Sequence, residues 1–199
     1  MESSFFSRNP WIKDGIGLII FIFAVVIGTI LINSFVFRSF SVEGPSMQPT
    51  MYTGDRLIVS RLPVTWSQLQ NKAYTPERGQ IIVFKNPQYT IGTAEEYIVK
   101  RVIAFAGERV VLKDGKYTVY SVNNPVGFNP DDDNNGEPGS PTSGEFDGTV
   151  PTGSLFVSGD HREGGFSLDS RNGLGYIPLY DVIGPVTMRL LPVTGIRLF

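Results

Sequence analysis

The pattern of apolar and polar positions divides the chain in two. Gly15 to Phe37 (GIGLIIFIFAVVIGTILINSFVF) runs 23 residues without a charge, with Lys13 and Asp14 before it and Arg38 after it. At about 1.5 Å per residue a helix of that length reaches roughly 34 Å, against a hydrocarbon core of about 30 Å, so the run predicts a membrane span. It is apolar on all faces, unlike a core helix with a polar stripe. It also exceeds the ~7–15-residue apolar region of a cleavable signal peptide, and no A-x-A-like site follows. The expected organisation is a short amino-terminal segment (1–14), an uncleaved anchor (15–37) and a domain (38–199). Arg8 and Lys13 precede the span and only Arg38 follows closely, which favours a cytoplasmic amino terminus and an extracytoplasmic domain.

After Arg38 short segments rich in Val, Ile, Phe and Tyr alternate with Gly, Pro, Asn and Asp, the pattern of a mainly β domain. Strands are predicted at Ser39–Glu43, Arg56–Ser60, Gln80–Lys85, Glu96–Ala104, Arg109–Leu112, Tyr117–Val122, Ser154–Ser158 and Val182–Leu190. Lys113-Asp114-Gly115-Lys116 is a hairpin signal, since Asp-Gly suits the positive φ angles of a type I′ turn. Asn123 to Gly153 is rich in Pro, Gly, Asp and Asn and reads as an exposed, mobile excursion with a short hairpin near Gly144 to Val150. Pro63 to Glu77 reads as a second excursion, in which Trp66 and Leu69 cover apolar surface or touch lipid.

Composition narrows the function. Seventeen Lys plus Arg against nineteen Asp plus Glu give a formal net charge of −2, with no basic stripe, so nucleic acid is not an expected partner. The chain has no cysteine, which removes disulfides, thiolate zinc sites and cysteine nucleophiles. Asp131, Asp133, Asn135 and Gly136 fall at calcium-loop spacing, but position twelve is Thr142 where a bidentate Glu is needed. Nothing else calls for a metal or cofactor.

The candidate nucleophile is Ser46, in VEGPSMQPTM (Val42 to Met51), where Gly44-Pro45 and Pro49 stiffen the backbone on both sides. Such a loop can hold the hydroxyl proud and leave the Ser46 N–H free for an oxyanion, although a Gly-Pro-Ser turn alone is ordinary loop chemistry. No G-x-S-x-G elbow surrounds a serine, and S-x-x-K fails because Pro49 follows Ser46 by three. A histidine triad would have to use Ser46, His161 and Asp169, His161 being the sole histidine. Lys100 interrupts the apolar segment Tyr97 to Leu112. Alternation puts Ile98, Lys100 and Val102 on one face and Val99, Arg101 and Ile103 on the other, which leaves open which cation is buried. A lysine held among Ile and Val loses hydration and becomes a competent neutral base.

In order, SMQPTM, GDRLIV (Gly54 to Val59), PERGQIIVF (Pro76 to Phe84), KRVIAFAGERV (Lys100 to Val110) and SGDHREGGFSLDSR (Ser158 to Arg171) resemble the boxes of the type I signal peptidases. The resemblance covers almost the whole chain, anchor included. It implies a mainly β domain of coiled sheets on one amino-terminal transmembrane helix, and a serine endopeptidase without cofactor that removes signal peptides from exported preproteins at the bilayer. By similarity Ser46 is the nucleophile, Lys100 the base, Ser167 the residue that orients the lysine, and Asp169 and Arg171 a structural pair. The Ser46 N–H serves the oxyanion; some members add a hydroxyl two residues earlier, where this chain has Gly44. Phe40, Val42, Met47 and Val99 match pocket positions admitting Ala at the first and third residues before the cut, and Phe40 to Glu43 pairs with substrate as an added strand. Six residues, HREGGF, separate Asp160 from Ser167 where about four are expected, so an insertion bulging at Gly164-Gly165 is anticipated. Two other readings stand beside this one: a self-cleaving Ser-Lys repressor, which would need a DNA-binding domain, and a non-catalytic membrane-tethered β module that binds through 123–153. The oligomeric state is left open.

Overall fold

The structure, a computed structural model, describes residues 10–92, 96–132, 138 and 141–199. Pro10–Phe35 form one helix, α1. Its stretch Asp14–Phe35 is long and apolar enough to cross a membrane, and none of its apolar window is buried in the protein. Thr29 and Asn33 are polar side chains within it. Thr29 Oγ1 donates to Val25 O (2.8 Å) and Asn33 Nδ2 to Thr29 O (3.2 Å), so each spends its donor on its own helix rather than presenting it to lipid. The helix stops short of the predicted boundary because Phe37 already opens the first strand.

The strands are β1 (Phe37–Ser41), β2 (Arg56–Ser60), β3 (Ile81–Lys85), β4 (Tyr97–Phe105), β5 (Arg109–Lys113), β6 (Lys116–Ser121), β7 (Asn124–Phe128), β8 (Phe146–Thr149), β9 (Ser154–Ser158), β10 (Ile177–Pro178), β11 (Val182–Leu191) and β12 (Arg197–Leu198). A large antiparallel sheet runs β1-β2-β11-β3-β4-β9-β10 with β12 on β11, and a smaller one runs β7-β6-β5-β8. β11 is the pivot of the large sheet. Its first half pairs with β3 and its second half with β2, with bulges between, and at Gly184 a Cβ would collide with the Ser60 carbonyl. The bend there curls the sheet so that β1, at its edge, comes to face β4.

Burial explains the strand patterns. β2 and β6 alternate buried and exposed positions, as half-covered strands do. β4 is buried on both faces. One side packs on Ile82, Phe84, Leu155 and Val157, while Ile103 and Ala104 join Val110, Leu112, Tyr117 and Phe156 between the two sheets.

The eight predicted strands are all present, with ends moved by up to two residues, and the Asp114-Gly115 turn has φ of 51° and 77°. Leu62–Leu69 is a helix, α2, and two strands lie within 123–153: β7 returns along β6, and β8 pairs with β5 instead of forming a local hairpin. Pro125, Gly127 and Gly148 hide these strands from a propensity reading. Tertiary packing asks for Gly127, since a Cβ there would strike the Tyr120 ring on the neighbouring strand. Asp133, Asn135 and Gly136 of the calcium-like stretch lie outside the described residues, and the Asp131 carboxylate is held by Arg162.

Candidate active site

Ser46 stands in the loop from β1 to β2. Gly44 turns that loop at φ 81°, Gln48 N–H donates to Pro45 O (3.0 Å) and Met51 N–H to Met47 O (2.9 Å). Met47 and Met51 are buried in the core with Val42, Leu57, Val59 and Val83, which pins the loop beneath the serine. Lys100 comes from β4, opposite Ile82 of β3. Its Nζ donates to Ser46 Oγ at 2.7 Å and to Val99 O at 2.9 Å, and the residue is 3% exposed. Among the described residues the Ser46 N–H meets no acceptor.

Both cations of the β4 alternation are buried, for different reasons. Arg101, 7% exposed, forms a two-pronged pair with Asp160 (2.8 and 2.6 Å) and donates to Gly79 O (2.8 Å). Thr50 Oγ1 donates to the same carboxylate at 2.6 Å. Asp160 therefore neutralises Arg101 and ties β4 to the serine loop.

The segment after β9 completes the frame. Val157 and Ser170 exchange two hydrogen bonds, one through Ser170 Oγ, which docks the SLDSR segment on β9. Asp169, fully buried, accepts from Gly159 N–H (3.0 Å), Ser158 Oγ (3.3 Å) and Arg171 Nε (3.2 Å). Arg171 Nη1 donates to the Ser143 and Arg162 carbonyls, both at 2.8 Å. His161 N–H in turn donates to Ser46 O (3.0 Å), so the Asp169–Arg171 pair braces the backbone that holds Ser46. At Gly159 a Cβ would collide with Ser167 Oγ and the Ser46 carbonyl; the close approach requires glycine.

One expected contact is absent. Ser167 Oγ is buried beside Gly159 but has no hydrogen-bond partner among the described residues, Lys100 Nζ being turned to Ser46 and Val99. His161 does not assemble a triad: its ring stacks on Phe166 (4.8 Å), and Nδ1 lies 3.2 Å from Pro45 O. The turn at Gly164-Gly165 is exposed, where the bulge was anticipated.

Ser46 and Lys100 open onto a cleft of about 270 Å³ between the end of β1 and the start of β4, lined by Phe40, Val42, Leu57, Val83, Tyr97 and Val99 among others. Phe40 and Tyr97 pack ring to ring at 5.3 Å, with the Arg38 guanidinium over both. Met47 lies under the cleft, in the core, and does not line it. Val42 exchanges both main-chain hydrogen bonds with Gly54 and Asp55 (2.9 Å each), so alternation turns the Ser41 and Glu43 amide groups outward to the cleft. On the far wall the ladder between β9 and β4 begins at Arg101.

A family model described as signal peptidase, peptidase S26, matches residues 13–191. The chain belongs to that family. It is 32% identical over 195 residues to signal peptidase I of Bacillus licheniformis, covering 96% of this chain and 92% of the relative. It is likewise 32% identical over 193 residues to signal peptidase I T of Bacillus subtilis, with 95% and 90% covered. A crystal structure of a signal peptidase I from Enterococcus faecalis V583 matches with a TM-score of 0.43 at 27% identity, over 57% of this chain and 97% of that one. The chain is thus a serine endopeptidase of the signal peptidase family, anchored to a membrane by α1.

Several residues of the frame had no signal that singled them out. Arg101 and Asp160 stood inside the quoted segments, but only their pairing across β4 and β9 gives them a role. Arg162 and Asp131 form a buried pair beneath the Tyr117 ring. Burial alone would lower the Arg162 pKa, yet the Asp131 hydrogen bond and charge outweigh it and the net direction is upward. Tyr97 and Leu57 join the cleft through the curl of the sheet.

Proposed function

We propose that this chain removes signal peptides from exported preproteins by a Ser46–Lys100 dyad, cutting after small residues in an A-x-A pattern. The observation that carries this reading is the 2.7 Å hydrogen bond between Lys100 Nζ and Ser46 Oγ, made by a buried lysine at the mouth of an apolar cleft. Burial strips away the water that stabilises an ammonium, so the neutral amine is the form suited to accept a proton. In the first half-reaction Ser46 Oγ attacks the scissile carbonyl, its proton passes to Lys100, and the ammonium then protonates the leaving amine. In the second, water gives a proton to Lys100 and opens the ester, which frees the carboxylate and restores Ser46. The Ser46 N–H stabilises the oxyanion in both halves.

The substrate lies extended in the cleft between β1 and the start of β4. Its backbone pairs with Ser41 and Glu43, and its alternate side chains reach the apolar wall. Phe40, Val42 and Val99 crowd that wall, which favours alanine-sized side chains at the first and third residues before the cut. Asp169 and Arg171 keep the supporting backbone rigid, and Ser167 packs against Gly159. The domain acts on the extracytoplasmic side, with the amino terminus in the cytoplasm.

Cleavage of a preprotein with an A-x-A site, in detergent, by the wild-type chain and by Ser46→Ala and Lys100→Ala tests this directly. Product mass after the second Ala, from wild type alone, is the expected result. Folded wild-type protein that cuts no preprotein would turn the reading to a membrane-tethered binding module, and cutting by all three would move the nucleophile elsewhere.

A further inference from the structure

The chain has two tryptophans, and both stand at the ends of the membrane span. Trp11 is in the first turns of α1, 72% exposed. Trp66 is in α2, which is bolted to the other end of α1: Val36 O accepts from Arg61 N–H (2.8 Å), Phe35 O from Thr65 Oγ1 (3.1 Å) and Ser34 O from Arg61 Nε (3.2 Å). Arg61 Nη1 also donates to Ile183 O of β11 (2.9 Å), so the same side chain joins span, α2 and sheet.

The helix α2 is amphipathic against the grain of a soluble domain. Val64 faces the protein and is buried, whereas Leu62, Trp66 and Leu69, at i, i+4 and i+7, form one apolar stripe exposed at 55%, 65% and 73%. A stripe of that kind at the mouth of a bilayer span is continuous with the span's own lipid-facing surface. Trp11 and Phe35 are separated by about 36 Å along the helix, slightly more than the ~30 Å hydrocarbon core, so both tryptophans fall at headgroup depth, where indole rings are enriched.

We infer that α2 is an interfacial membrane foot, with Leu62, Trp66 and Leu69 seated in the headgroup and upper acyl region beside the end of α1. The domain is then held at two points, with Arg61 as the strut between them. A single tether would let it swivel; the foot fixes the height and tilt of the cleft above the bilayer.

This inference does not depend on the catalytic reading and is tested without catalysis. In full-length Trp11→Phe protein, reconstituted into phosphatidylcholine–phosphatidylglycerol vesicles, Trp66 is the sole indole. Lipids brominated high on the acyl chains should quench its emission roughly twofold, with little quenching by aqueous acrylamide. Adding Leu62→Gln and Leu69→Gln should weaken the bromolipid quenching, and Ser46→Ala should leave it unchanged. Trp66 quenched by acrylamide but not by bromolipid overturns the proposal in favour of a solvated helix. Trp66 shielded from both overturns it in favour of a protein contact.

Discussion

At the scale of single residues, the proposed mechanism rests on what a buried amine can do that other groups cannot. Lys100→Arg keeps the charge but substitutes a guanidinium that does not deprotonate in the working range. Preprotein cleavage should fall by about 10³-fold or more, as loss of a general base does, in a protein with wild-type circular dichroism. His161→Ala should keep most of the activity, because the part of His161 that supports Ser46 is its backbone N–H. Tyr117 gives a pH signature. Burial first, and the Asp169 charge second, push its phenol from 10.0 to about 12. The folded chain therefore holds that proton more tightly than the unfolded one. This contribution to stability is full below pH 10 and is lost as pH rises through about 12. Tyr117→Phe should flatten the fall in stability across that window, read by denaturant titration at each pH, at a neutral-pH loss of about 1 kcal/mol for the hydrogen bond to Ser158. Tyr74 is also pushed up to about 12, so the variant removes only part of the alkaline fall.

At the scale of elements, the strands were legible because alternation and turn chemistry speak directly in sequence. Arg56–Ser60 and Ser154–Ser158 begin and end where they were expected. What alternation cannot give is the partner of each face. β4 reads as a strand with a cation on either side, and only the β3 and β9 ladders show that both cations are buried, one against Ser46 and one against Asp160. Asp160→Asn leaves Arg101 buried without its countercharge and should cost about 3–5 kcal/mol, measured as a lowered denaturation midpoint, with activity falling as the Thr50 link loosens. Gly184→Val would drive a side chain into the Ser60 carbonyl at the bend of β11. Its expected effect is a clear loss of folded protein at 37 °C, since the curl itself has to open. The strand β7 escaped the sequence reading, and β8 was expected only in a local hairpin, because they are held by β6 and β5, which lie elsewhere in the chain, rather than by their own propensity.

At the scale of the whole molecule, anchoring and chemistry are one design. β1 begins two residues after α1 ends and leads straight to the cleft, so under the proposed function a membrane-held substrate meets Ser46 at a raised effective concentration. The proposed orientation can be read by labelling, because the chain lacks cysteine. A membrane-impermeant maleimide should modify Thr152→Cys in intact cells with access to the outer face, and Ser4→Cys only after the membrane is opened; the reverse pattern would invert the topology. Local sequence determined the span, most strands, the Asp114-Gly115 turn and the two residues proposed for catalysis. These follow from hydrophobic runs, period-two alternation, turn chemistry and the familiar order of short segments, all written within a few neighbouring residues. Tertiary structure decided that Lys100 Nζ meets Ser46 Oγ, that Asp160 rather than water answers Arg101, that Met47 lies below the cleft and that α2 with Trp66 docks at the end of α1. Those are distances between residues far apart in the chain, set by the curl of one sheet, and no local pattern encodes them.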